Sequence, residues 1–111
     1  MDFDILVAQV KTVLKQLDTS QVTEHIAIHV NVTDMEHRPF YIEISQEGIE
    51  VEPYAYYDKD VTINADSKRI INMLFKEADL KAEYAVGNIG VYGNLHKLAV
   101  LRNLVIDQVQ L

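Results

Sequence analysis

The stretch Tyr84-Ala-Val-Gly-Asn-Ile-Gly-Val-Tyr-Gly-Asn94 decides the fold, because it reads in succession as helix, turn, strand, turn and helix. Gly87 stands where a helix ending at Val86 needs a left-handed residue, a conformation open to a residue without Cβ. Ile89 and Val91 alternate as a half-buried strand does. Gly93 turns the chain and Asn94 caps the apolar helix that runs on from Leu95. A short, edge-like strand is thus clamped between two helices, which leaves a seam between helices and sheet.

At the other end of the chain, Asp2 or Asp4 caps a helix whose apolar residues are Phe3, Leu6, Val7, Val10, Val13, Leu14 and Leu17. At 100° per residue these form a stripe about 120° wide, as expected of a helix lying on a sheet with one side in water. After polar turn formers at Asp18-Thr19-Ser20, three alternating runs follow. Ile26, Ile28, Val30 and Val32 predict a strand with one buried face. Phe40, Ile42 and Ile44 predict a second, and Ile49 and Val51 a third, joined by short turns into an antiparallel meander. An aromatic connection, Tyr54 to Asp60, leads to a fourth strand at Val61-Thr-Ile-Asn-Ala65. Asp66 caps a helix expected to run to about Glu77. Its apolar residues Ile70, Ile71, Met73, Leu74 and Phe75 span about 200°, so two of its sides must be covered. Besides the sheet, the second partner is either a neighbouring helix or a lipid chain. Asp79 restarts a short helix that runs to Val86.

The 111 residues suit one domain over residues 1–111. A formal charge of -7 sets the field against nucleic-acid backbones and anionic lipid surfaces. The absence of cysteine excludes disulfides, thiolate metal sites and a cysteine nucleophile. No apolar run reaches the roughly 18 residues of a membrane span, and no basic-then-apolar leader precedes the first helix. The expectation is a cytoplasmic protein without stable membrane insertion. No serine–histidine–aspartate order, phosphate-binding glycine loop or metalloprotease helix is present, so no catalytic activity, metal or cofactor is expected. His25 and His29 lie about 13 Å apart along an extended strand, too far to share one metal ion.

Asp60-Val-Thr-Ile63, the helix after Asp66, and the run from Tyr84 through Gly87 and Gly93-Asn94 to Leu101-Arg-Asn-Leu104 together resemble the sterol carrier protein type two family. The likeness covers about residues 20 to 106 and is most specific from Asp60 onward. It implies an α+β fold: a mostly antiparallel five-stranded sheet with helices packed on one face. It also implies carriage, without catalysis, of fatty acids, acyl esters or sterols in an apolar tunnel. The chain departs from the family at Lys76 and Glu77, where many members have a glycine and a basic residue. It departs again at Asn88 and Gly90, where basic residues are usual. Both changes weigh against binding of CoA phosphates and against electrostatic delivery to anionic membranes.

Met73, Leu74, Phe75, Tyr84, Leu98, Leu101 and Val105 lie on helix faces turned toward the sheet. They either fill a dry core or line a void, and the resemblance favours the void. Arg102 projects into the apolar arc of the last helix, where it meets a fatty-acid carboxylate or pairs with an acidic neighbour. Asp58 and Asp60 read as a solvated turn. Tyr54, Tyr56 and Tyr57 suit a cavity mouth, a homodimer contact or packing over the end of the sheet. The expected partner is therefore a small apolar lipid. The rival reading is an interaction module with a filled core that dimerises or docks on an enzyme through the tyrosines or a sheet edge.

Overall fold

The computed structural model describes residues 1–110. Helix α1, Phe3–Leu14, begins where Asp2 accepts the Ile5 amide at 2.9 Å, and it buries Phe3, Leu6, Val7, Val10 and Leu14. Strands β1 (Ile26–Val32), β2 (Arg38–Ser45) and β3 (Gly48–Glu52) form the expected meander. Strand β4, Val61–Ala65, then pairs with β1 in parallel, and β5, Gly90–Gly93, closes the far edge antiparallel to β4. The sheet order is β3-β2-β1-β4-β5. Because β3 already runs parallel to β1, the chain must cross back over the sheet before it can enter β4 in the same direction. Residues 53–60 make that crossing.

The crossing corrects one expectation. β1 is buried on both faces, with Ala27 as inaccessible as the isoleucines and His29 also buried. Tyr56 lies over the outer face, where its amide donates to His29 Nδ1 at 3.3 Å and its ring meets Tyr41 edge-on at 5.0 Å. Asp60 is likewise no solvated turn residue. Its carboxylate accepts the Ala27 amide at 2.8 Å and the Lys97 ammonium at 3.0 Å, pinning the crossing to the start of β1.

Helix α2, Ser67–Leu74, is capped by Asp66, which accepts the Arg69 amide. It ends earlier than the expected Glu77. Lys76 adopts φ +65°, and Glu77 N donates to Asn72 O at 2.8 Å while Lys76 N donates to Met73 O at 3.4 Å. This is the two-bond left-handed helix stop, here built on a lysine, at a cost of about 1–2 kcal/mol relative to glycine. Helix α3, Leu80–Ala85, uses the same stop at Gly87, with φ +81°. Helix α4, Leu95–Gln108, is capped by Asn94. Helices α1, α2 and α4 cover the face that carries Val30, Phe40, Ile42 and Ile63. Among the described residues, no helix is long and apolar enough to cross a membrane.

A candidate lipid cavity between helices and sheet

The second side of α2 is covered by a helix. Phe75, at its C-cap, turns toward α1 and borders a shallow groove with Ile5, Ala8 and Val13. Even so, a void of about 290 Å³ remains between the helical layer and the sheet. Its floor is Val30, Phe40, Ile42 and Ile63, and its walls are Val10 and Leu14 of α1, Ile70, Met73 and Leu74 of α2, and Leu101, Val105 and Ile106 of α4. A cavity of this size lies at the lower end of the roughly 300–1,000 Å³ spanned by small-molecule sites.

Polar side chains reach this space only along one rim, the link from Lys76 to Asp79 together with Arg102. The left-handed turn at Lys76 bends this link over the end of the void. Lys76 Nζ donates to the Ile106 carbonyl at 3.3 Å, which joins the link to α4 across the mouth. Lys76, Glu77 and Ile106 are exposed, so the mouth meets solvent there. Arg102 donates to Asp79 twice, Nε to Oδ1 at 2.6 Å and Nη2 to Oδ2 at 3.1 Å. The guanidinium holds the Asp79 carboxyl below the usual carboxylate range, and Asp79 in turn raises the Arg102 pKa. Asp79 also caps α3 by accepting the Ala82 amide. Helix α3 has no buried residue and is tied down by polar contacts, Asp79 to Arg102 of α4 and Glu83 to Arg69 of α2.

Of the residues expected to line a void, Met73, Leu74, Leu101, Arg102 and Val105 surround this one. Three lie elsewhere. Phe75 faces α1 because α2 stops before it; Tyr84 is exposed on α3; Leu98 is packed into the core. The sheet floor and the 76–80 link were absent from the expected lining. The apolar alternation of β1, β2 and β4 marks the floor in sequence, but nothing there distinguishes floor from filled core. Arg102 takes the acidic-neighbour course rather than presenting a free guanidinium.

On the opposite face of the sheet, the polar side chains satisfy one another. The Tyr56 hydroxyl donates to Glu43 at 2.5 Å, and His25 contacts the same carboxylate at 2.7 Å. These two bonds, Tyr56 first, lower the Glu43 pKa, and the bond to Glu43 pushes the Tyr56 phenol up to about 12. His29, Asn31 and Asn64 form a hydrogen-bonded row. Tyr54 and Tyr57 stand in solvent and, like Tyr56, do not border the cavity. Among the described residues, no three histidine, aspartate or glutamate side chains gather as metal ligands would.

A helical layer and one face of a mostly antiparallel sheet, with an apolar space and a polar rim between them, define the class: a small two-layer α+β domain. The chain belongs to the SCP-2 sterol transfer family, whose sequence profile matches residues 8–105. That membership supports a lipid- or sterol-carrier role. Comparison with curated protein sequences finds no match. Among solved structures, the chain is similar to the UbiJ-SCP2 ubiquinone synthesis protein, with TM-score 0.76, 14% identity and coverage of 93% of this chain and 95% of that one. It is also similar to sterol carrier protein-2 like-3 from Aedes aegypti, with TM-score 0.67, 17% identity and coverage of 97% and 99%. The inverting sec-alkylsulfatase Pisa1 from Pseudomonas sp. contains a similar fold, with TM-score 0.72 and 17% identity. There the match covers 82% of this chain but only 15% of the sulfatase. At these identities the structural likeness is one of fold.

Proposed function

We propose that the chain carries one long-chain lipid, with its hydrocarbon in the void between sheet and helices and its polar end at the 76–79 rim, and without a catalytic step. The observation that carries this reading is the uninterrupted apolar lining, contributed by three strands and three helices, beneath a mouth where all the charge is gathered. Such a surface gains about 0.8 kcal/mol for each methylene it removes from water. Eight buried methylenes thus supply ~6 kcal/mol, and about twelve supply enough to exceed the lower estimates of the association cost by several kcal/mol. Support also comes from family membership and from the fold shared with palmitated SCP2L2 of Aedes aegypti, which has TM-score 0.66 and 12% identity.

The test is twofold. Organic extracts of the purified protein, analysed by mass spectrometry, are expected to contain a long-chain lipid at up to one equivalent. A polarity-sensitive fluorescent probe bound to delipidated protein should be displaced by long-chain lipids and not by short-chain ones. An empty extract together with no displacement at saturating lipid contradicts the proposal.

A further inference from the structure

The rim contains two cations, Lys76 and Arg102, and two carboxylates, Glu77 and Asp79, so its formal charge is zero. Its one arginine is already engaged through two nitrogens by Asp79. Asp79 is held in place independently of the arginine, because it also caps α3. Lys76 is turned to a backbone carbonyl of α4. A carboxylate arriving at this mouth therefore meets an arginine already paired with a carboxylate, and a lysine that is exposed, where water screens its charge. To take the two nitrogens that Arg102 gives to Asp79, the newcomer must displace that carboxylate, and at the remaining guanidinium nitrogen it lies beside it, like charge against like charge, on a protein of formal charge -7.

We propose that Asp79 selects the ligand's head group: by occupying Arg102 it makes the cavity a site for a neutral lipid, such as a long-chain alcohol, ketone or ester, and against a fatty-acid anion. This rests on the lipid-carrier reading above and narrows it. Arg102 and Asp79 together present a neutral, hydrogen-bonding rim that a hydroxyl or carbonyl can join without displacing either partner. The low pKa of Asp79 keeps its carboxylate charged through the neutral range, so the exclusion persists there.

The experiment compares two ligands of equal chain length, a fatty acid and its primary alcohol, by displacement of a fluorescent probe at neutral pH. The wild-type protein should bind the alcohol more tightly. Asp79→Asn removes the charge and keeps a side chain that caps helices as well as aspartate does, so the α3 start is preserved. It frees Arg102, and the acid-to-alcohol affinity ratio should shift toward the acid by about tenfold, close to the lower end of what a hydrogen bond to a charged group is worth. Asp79→Asn combined with Arg102→Met should abolish that gain. Glu77→Gln makes the same change in net charge without freeing Arg102, and should leave the ratio within about twofold of wild type. Acid binding by the wild type as tight as alcohol binding, or an unchanged ratio in Asp79→Asn, overturns the proposal while leaving the carrier reading intact. Failure of both ligands to bind wild-type protein removes the carrier reading itself, and this inference with it. The wild-type comparison stands even if a variant does not fold.

Discussion

Leu101→Trp probes the cavity from within. Leu101 projects from α4 into the void bounded by Val30 and Ile63 of the sheet. If about 290 Å³ is empty in the free protein, an indole enters it with little displacement of its neighbours. Forcing the same ring into a closed core costs about 1–3 kcal/mol. The indole takes space that hydrocarbon otherwise occupies. Excluding two or three methylenes, at ~0.8 kcal/mol each, loses ~2 kcal/mol and weakens binding roughly 30-fold. Stability and affinity are therefore expected to part company: urea unfolding of the free variant within about 1 kcal/mol of wild type, and probe displacement by a long-chain alcohol weakened by about that 30-fold. The natural chain has no tryptophan, so the introduced indole is also a unique reporter, whose emission should change when saturating alcohol is added. A variant destabilised by ~3 kcal/mol that retains wild-type affinity would refute the reasoning, since the site would then be packed protein with the ligand elsewhere.

Gly93→Ala should cost about 3 kcal/mol in denaturant unfolding, because φ is +114° and a Cβ would lie 2.5 Å from the Asp60 carbonyl oxygen and 3.0 Å from Val61 Cα. Lys76→Gly should change stability by less than about 1 kcal/mol, since relief of the left-handed lysine is offset by the freedom glycine gains in the unfolded chain. At alkaline pH, the folded-state pKa of Tyr56 is raised to about 12 by its bond to Glu43. Its stabilising contribution is complete below the ordinary tyrosine pKa of about 10 and is lost as pH rises toward the folded value. Tyr56→Phe should remove that alkaline loss in pH-dependent unfolding. On the acid side, the depressed pKa of Asp79 gives a contribution present above about pH 4 and lost as pH falls through its folded value; Arg102→Met should flatten that part of the acid-unfolding profile.

The local signals in the sequence were strong where a residue type has few places to go. Asp2, Asp66, Asp79 and Asn94 each precede an apolar helical pattern, and each caps a helix. Gly87 and Gly93 stand at positive φ, and the alternating isoleucines and valines give five strands with the inner face correctly assigned. What escaped the sequence depends on distant partners. The end of α2 was hidden because its left-handed position is a lysine, a residue that usually continues a helix. The burial of His29 and the anchoring of Asp60 follow from the crossing between β3 and β4, which brings residues about 30 positions apart into contact. The cavity itself is a shortfall in packing among six elements, and no single periodicity records whether apolar faces meet. Arg102 was legible as an anomaly on an apolar helix face; that Asp79 answers it required the fold.

Transfer of magnetisation from the chain methylenes of a bound long-chain alcohol to protein methyl groups, measured by isotope-filtered NMR, tests the carrier account most directly. The account predicts contacts to methyls of Val30 and Ile63, neighbours on the sheet floor, and of Leu101 on the α4 wall of the cavity. Contacts confined to exposed methyls such as those of Val86 and Leu95, with none to these three, contradict it.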